Sequence, residues 1–251
     1  MPPLSEELRL LAESMDQAAE IARQNRHPHQ FKLKPDGSIV TDADVAVESY
    51  FREQLARDWP GTTFWGEEFG RDPISGTGYW LIDPVDGTSN FAFGSPLWGI
   101  SVALAVGTRI EFAAIWLPDL NEKYLGQVDN GAWLNSEPLP QIPHGTVQRH
   151  ELVSQNERVG RHYGRQSIPG KVRCAGAFVV DGMFTATQRY RGLVGLDEYL
   201  YDAAASILIN QELGAEVRWA AGEALEMNEL IEGRRFDKPW VIFPKESGFT
   251  L

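Results

Sequence analysis

Cysteine is nearly absent: Cys174 is the only one in 251 residues, so no internal disulfide can form and the chain suits a reducing compartment. Long apolar runs are missing too. No stretch approaches the roughly 18 residues that a membrane helix needs, and no early apolar run combines a basic lead with a small-residue cleavage site. Positive charge is scarce. Against 35 Asp and Glu stand 23 Lys and Arg, a formal charge of -12, which argues against binding a nucleic-acid backbone, an interaction carried by clustered cations. The five histidines fall at no metal-like spacing, and His27 and His29 stand two apart in a predicted loop with no companion pair. Repeats and low-complexity tracts are lacking as well. What these absences leave is a soluble cytoplasmic protein, with neither nucleic acid nor membrane as partner, long enough to bury a core without staples.

Periodicity supplies the elements. Apolar residues at Leu4, Leu8, Leu11, Met15, Ala18 and Ala22 predict an amphipathic helix opened by Ser5. After a loop with Pro35-Asp36-Gly37, Thr41 with Asp44 three residues on predicts a capping-box start to a second helix, with Val45, Val47, Phe51 and Leu55 inside and Pro60 closing it. From Tyr79 the texture turns to β: 79–82, 98–106, 110–117 and 122–128 are β-branched or aromatic runs separated by turn residues, as in an antiparallel meander. "NSEPLPQIPHG" is the candidate boundary between two halves. Beyond it come a short strand near "KVRCAG", an alternating piece around Met183 to Thr187, a helix "YDAAASILINQELG" ending at Gly214 and a strand "WVIFP". Helices, then strands, then a mixture predict an α+β or layered α/β protein.

The stretch "WLIDPVDGTSNF" sets Asp83 and Asp86 close together and follows them with Gly87 and Thr88. Asp83-Pro84 and Asp86-Gly87 are turn-forming pairs, which is one reading. A divalent cation cancelling the repulsion of the two acids is the other. Further acids stand at element ends: Glu67 and Glu68 between glycines in "FWGEEFG", Asp44 in the first turn of the second helix, and Asp202 opening the "YDAAAS" helix. Each has an ordinary structural reading alone. Together they supply what a multi-metal phosphate site requires, namely hard oxygen ligands and a Gly-Thr turn whose N–H groups meet an anion.

"GEE", then "WLIDPVDGTSNF", then "YDAAAS" followed by "QELGA" resemble the three signature blocks of the inositol monophosphatase superfamily, magnesium-dependent and often lithium-sensitive phosphomonoesterases. Order and spacing agree over roughly residues 30 to 215. The resemblance implies an αβαβα sandwich, with residues 1–140 as an α+β half carrying most metal ligands and 141–251 as an α/β half carrying the last metal aspartate and the substrate pocket. It implies that Glu67, Asp83, the Val85 carbonyl, Asp86 and Asp202 hold Mg2+, on the order of two to three ions. Asp44 then helps hold a weaker ion and its water, and Gly87, Thr88 and Ser89 cradle the phosphate. Thr88, Glu67 and Asp44 carry catalysis, Thr88 and Glu67 by aligning the attacking water in line with the ester oxygen. A homodimer acting on a small phosphorylated substrate is also implied.

The match departs from the family in the substrate half. Seven residues before the last metal aspartate, where the family has a glutamate that grips the substrate, stands Gly195; Asp197 or Glu198 could stand in. Tyr201 replaces the usual tryptophan, as in histidinol-phosphate phosphatases, which also share an aromatic and Gly after "GEE", here Phe69-Gly70. "GTSNF" is closer to the inositol and sugar phosphatases. Lys32 or Lys34 matches a lysine near the metal water with a shifted spacing. In "RCAGA", Gly176 and Ala177 match backbone that the substrate approaches, while Phe178 is bulky and narrows the pocket. No basic cluster is present to hold a second phosphate or a nucleotide. The expectation is therefore inositol-1-phosphate as substrate, with histidinol phosphate as the alternative. A regulatory binding protein with incidental catalysis is the rival of another class, and it would be expected to lose one of Glu67, Asp83, Asp86, Thr88 or Asp202, all of which are kept.

Overall fold

The computed structural model describes residues 3–73, 77–163 and 168–251. Helix α1 (Glu6–Gln24) starts where Leu8 N–H donates to the Ser5 hydroxyl at 3.3 Å and buries Leu8, Leu11, Met15, Ala18 and Ala22. A hairpin of β1 (Lys32–Leu33) and β2 (Ile39–Val40) leads to α2 (Asp42–Asp58), whose start is the Thr41/Asp44 capping box. Val45, expected inside, is 43% exposed. Two residues along a helix turn a side chain roughly to the opposite face, so the inward side belongs to Val47, Phe51, Leu55 and Glu48.

Among the described residues, the large sheet joins β3 (Thr62–Gly66), β4 (Gly70–Arg71), β5 (Gly78–Asp86), β6 (Gly99–Val106), β7 (Arg109–Leu117), β8 (Glu122–Gln127), β9 (Gly131–Leu134) and β10 (Glu137–Pro138), in the order β10-β9-β8-β7-β6-β5-β3-β4. The run from β5 to β10 is the antiparallel meander, whereas β3 pairs with β5 in parallel. Short α3 (Thr88–Phe93) follows β5 directly. A second sheet, in the order β12-β11-β13-β15-β14, comprises β11 (Leu152–Gln155), β12 (Lys171–Arg173), β13 (Gly192–Gly195), β14 (Ala215–Trp219) and β15 (Trp240–Pro244). Around it lie α4 (Glu157–Tyr163), α5 (Phe178–Ala186), α6 (Leu200–Glu212) and α7 (Met227–Ile231). The piece around Met183 to Thr187 belongs to α5, not to a strand. Its buried side chains Phe178, Val179, Val180, Met183 and Ala186 surround the helix, which removes the one-sided spacing that would have marked it.

Strand alternation builds the layers. In β5, Trp80 and Ile82 pack with α1 and α2, while Tyr79 and Leu81 join a cluster with Val179, Met183 and Leu208 of α5 and α6. That cluster continues to Ile242 in the second sheet, so α5 and α6 lie between the sheets. Val159 of α4 packs with Val194 and Val241 on the outer side. The resulting order is α1/α2, large sheet, α5/α6, small sheet, α4: an αβαβα sandwich. No helix among the described residues is long and apolar enough to cross a membrane.

Candidate functional site

Where β5 ends, its pairing with β6 slips by one residue between Asp83 and Asp86. This bulge re-aims the strand's end. Val85 N–H donates to Asp83 Oδ1 at 3.2 Å, the asx turn that the sequence allowed. Gly87 follows at φ +80, a conformation that suits glycine, and a Cβ there would come within 2.7 Å of Ala177 Cβ. Chain and neighbour together leave no room for a side chain. Thr88 then opens α3, its hydroxyl 3.0 Å from the Val85 carbonyl and 3.3 Å from Asp44 Oδ1. Ser89 is exposed on the same turn.

Two helices bring the remaining aspartates by the same local device. Asp44 is the third residue of α2, and its Oδ2 accepts from Thr41 N–H at 2.8 Å and from the Thr41 hydroxyl at 2.5 Å. Asp202 is the third residue of α6, and its Oδ2 accepts from Tyr199 N–H at 2.7 Å. Asp86 reaches across to the other half, accepting from Val179 N–H at the start of α5 at 2.5 Å. Glu67 and Glu68 occupy the turn after β3 and share the Lys34 ammonium, at 2.8 and 2.6 Å. Lys32 is exposed and 3.7 Å from Asp42, so Lys34 is the lysine at the site.

These acids feel one another. Burial, and then the charges of Glu67, Asp86, Asp202 and Asp44, push Asp83 well above the usual carboxylate range. Burial followed by Glu67 does the same to Asp202. Asp86 and Asp202 keep some solvent contact yet sit deep in the crevice, and burial holds Asp86 at about 7 despite the Val179 N–H. Asp44 stands at about 6, again through burial, with its Thr41 hydrogen bonds pulling the other way. Burial likewise lifts Glu68 to about 7, against Lys34. Lys34 is itself stabilised in its charged form, because its hydrogen bonds to the two glutamates outweigh its own burial.

The set fits hard divalent cations in its donors: carboxylate oxygens and the Val85 carbonyl, with more acids than one ammonium can balance. Among the described residues, no three Asp, Glu, His or Cys side chains already close into a cage. The acids are gathered, and a cation is what would draw them together.

Behind Asp86 lies a cavity of about 240 Å³ lined by Asn156, Arg158, Phe178, Asp181 and Glu198, among others. Gly176, at φ +77, and Ala177 form part of its wall. Phe178 packs against the Trp240 ring with centroids 5.4 Å apart. Trp240 also accounts for Gly195, where a Cβ would stand 2.5 Å from the indole Nε1. Of the two acids that could replace the missing glutamate, Glu198 faces the cavity, whereas Asp197 is turned to Arg235 at 3.1 Å and to Arg158. Asp197 is thus engaged in ion pairs with two arginines.

Sequence reasoning missed Glu48, Asn156 and Asp181. Glu48 is wholly buried and accepts from the N–H groups of Glu68 at 2.7 Å and Phe69 at 3.2 Å, while Arg52 braces it at 3.0 Å. It therefore holds the turn that presents Glu67. Its position four residues after Asp44, one helical turn along, was the available signal. For Asp181 the signal was an acid inside the apolar run "FVVDGMF".

Residues 4–243 match the model of the inositol monophosphatase family. An inositol-1-monophosphatase of Rhizobium meliloti is 30% identical over 221 residues, covering 81% of both chains. A histidinol-phosphatase of Chlorobaculum parvum is 32% identical over 138 residues, covering 54% of this chain and 53% of that one. The chain thus spans about half the length of some of the curated relatives it matches. A solved IMPase/NADP phosphatase in complex with Mg2+ and phosphate superposes with a TM-score of 0.79 over 95% or less of each chain (94% of this one, 90% of that one), and at 18% identity it bears on the fold alone. With the family model spanning nearly the whole length and the sandwich agreeing, this chain belongs to the inositol monophosphatase family.

Proposed function

We propose that the protein is a magnesium-dependent phosphomonoesterase that hydrolyses the phosphate of a small polyol, sugar or amino alcohol. The observation that carries this reading is the mutual electrostatic influence of Asp44, Glu67, Asp83, Asp86 and Asp202, brought by separate elements beside the Gly87-Thr88 turn. Glu67, Asp83, the Val85 carbonyl, Asp86 and Asp202 would hold the ions, with Asp44 supporting a weaker one. Magnesium when bound supplies a water acidic enough to attack near neutral pH and neutralises charge on the phosphate and the leaving oxygen.

The chain's own residues orient the reacting groups. Thr88 Oγ1, tied to Val85 O and Asp44 Oδ1, fixes the direction from which a water can approach. Asp44 Oδ1, 3.3 Å from that hydroxyl, helps to orient it. Gly87 allows the phosphate to approach backbone that no side chain shields. The cavity behind Asp86 takes the alcohol. Inositol-1-phosphate and histidinol phosphate are the substrates to compare, in a cytoplasmic homodimer.

The test is phosphate release by the purified protein from inositol-1-phosphate, histidinol phosphate, fructose bisphosphate, glycerol-2-phosphate, adenosine bisphosphate and NADP, with magnesium and with EDTA. Magnesium-dependent release that EDTA abolishes is expected. Folded protein that binds magnesium but releases nothing from any of them would shift the reading to a regulatory binding protein. Sedimentation at twice the mass of one chain is expected of the homodimer.

A further inference from the structure

Tyr201 immediately precedes Asp202 in the first turn of α6. Its ring is held on two sides, stacked on Tyr199 with centroids 5.3 Å apart and edge-on to Trp65 at 5.6 Å. Trp65 is itself fixed by the Arg71 guanidinium, 4.8 Å from its ring centroid. This packing accounts for an aromatic ring at position 201. It does not account for the hydroxyl, because phenylalanine would fill the same space, and a tyrosine hydroxyl drawn into the protein usually has a partner. Tyr79, whose ring joins the same apolar cluster, donates its hydroxyl to the Asp72 carbonyl at 2.7 Å. The Tyr201 hydroxyl has no hydrogen-bond partner among the described residues.

The course of β3 brings an acceptor to it. Side chains two apart on a strand share a face, and the pairing with β5 reaches Glu67, whose N–H donates to the Ile82 carbonyl at 3.2 Å. Glu67 therefore lies on the same side of the sheet as Trp65, and Tyr201, which meets Trp65 edge-on, stands beside both. Burial, and then the charges of Asp202, Glu67 and Asp83, push the Tyr201 phenol above the usual tyrosine range. The hydroxyl is thus a proton donor with these acids around it.

Glu67 has an oxygen to receive it. Its Oε1 accepts from Lys34 Nζ at 2.8 Å, an ammonium shared with Glu68 at 2.6 Å, while Oε2 has no partner among the described residues. A divalent cation placed among the acids repels an ammonium and leaves a neutral hydroxyl undisturbed. Lys34 then holds Glu67 least firmly when the ion most needs a fixed ligand, and a phenol has no such conflict.

Resting on the metal site of the proposed function, we infer that Tyr201 is a positioning residue for Glu67, its hydroxyl donating to Glu67 Oε2 and so turning that carboxylate toward the bound ion. Asp202 and the group that orients Glu67 thereby arrive together, on adjacent residues of α6.

Tyr201→Phe tests this by removing one oxygen and keeping the ring. Magnesium binding is titrated calorimetrically, melting temperature is read in EDTA and in magnesium, and phosphate release is followed against magnesium concentration. Magnesium affinity is expected to fall about tenfold, the usual effect of losing support for a metal ligand, and the rise in melting temperature that magnesium brings should shrink with it. The melting temperature in EDTA should stay at the wild-type value, and phosphate release should recover at saturating magnesium. Unchanged magnesium affinity in the variant would overturn the inference and leave the proposed function standing. A lower melting temperature in EDTA would overturn it too, by making the hydroxyl part of the fold's own support. Wild-type protein that is folded yet binds no magnesium would instead overturn the metal site on which the inference rests.

Discussion

Asp83 and Asp86 show how one residue type can be costly for the fold and necessary for the site. Burial and neighbouring acids make the charged form of each costly, so neither is there to stabilise the metal-free protein at neutral pH. Asp83→Asn and Asp86→Asn are each expected to leave less than about a tenth of the phosphate release, since each removes a hard charged ligand. The melting temperature in EDTA should not fall. Loss of folding alongside activity would count against the assignment. The same burial dictates a pH dependence. Asp44 at about 6, and Asp86 and Asp181 at about 7, lie above the value of about 3.9 for an unfolded aspartate. A carboxyl raised in this way stabilises the fold fully below its unfolded value, and the contribution is lost as pH rises through the folded one. Metal-free protein should therefore melt higher near pH 5 than near pH 8, and magnesium should restore stability at the upper pH. A melting temperature in EDTA that rises from pH 5 to pH 8 would contradict this account.

At the scale of elements, the ends do the work. Asp44 and Asp202 sit at matching positions on α2 and α6, where capping needs an acid and the helix start favours one. That coincidence is why each read as an ordinary cap in sequence and why only the pair, with "DPVDGT", pointed to a site. The turn after β3 depends on an element distant in sequence, because Glu48 of α2 holds the N–H groups of Glu68 and Phe69. Glu48→Gln is expected to raise the magnesium concentration for half-maximal phosphate release about tenfold or more, the usual effect of losing support for a metal ligand. A magnesium titration of activity checks this, and an unchanged midpoint in folded protein would show the turn to be self-supporting. The turn between β5 and α3 is stricter. Gly87→Ala pairs a φ of +80 with an approach to Ala177, and is expected to cost about 1–2 kcal/mol from conformation alone, with more from the contact. Urea midpoints and phosphate release should fall together.

The whole molecule divides by sheet and not by core. Between Pro138 and Leu152 the chain passes from the large sheet to the small one, and on that passage we propose residues 1–140 and 141–251 as its two halves. Yet one apolar cluster runs from Trp65 and Tyr79 through Val179 and Met183 to Trp240 and Ile242. Polar bonds cross as well: Asp86 to Val179 N–H, and Asn90 Nδ2 to the Ala175 carbonyl at 2.9 Å. A fragment of residues 1–140 would expose the face of β5 to β8 that α5 and α6 cover, a patch too apolar to stand in water. It is expected to lack the near-ultraviolet dichroism of native packing, while the whole chain unfolds in one transition seen alike by fluorescence and far-ultraviolet dichroism. Two separated transitions would show the halves to be independent.

The amino-acid order by itself determined the elements with one-sided spacing, α1, α2 and the meander strands, because a helix or strand with one apolar face writes its period into the chain. It also marked Asp44, Glu67, Asp83, Asp86 and Asp202 as candidates, since acids beside glycine and at helix starts are local patterns. α5 was not legible, because an element buried on every side has no period to read. The lining of the cavity was not legible either. Trp240 filling the space beside Gly195, Asp197 turning to its arginines, Glu48 reaching the turn after β3 and Asp181 facing Glu198 are contacts between residues far apart in the chain. Only the tertiary packing decides them, because which groups share a low-dielectric space, and so which charges must find a partner, is settled by proximity in the folded molecule.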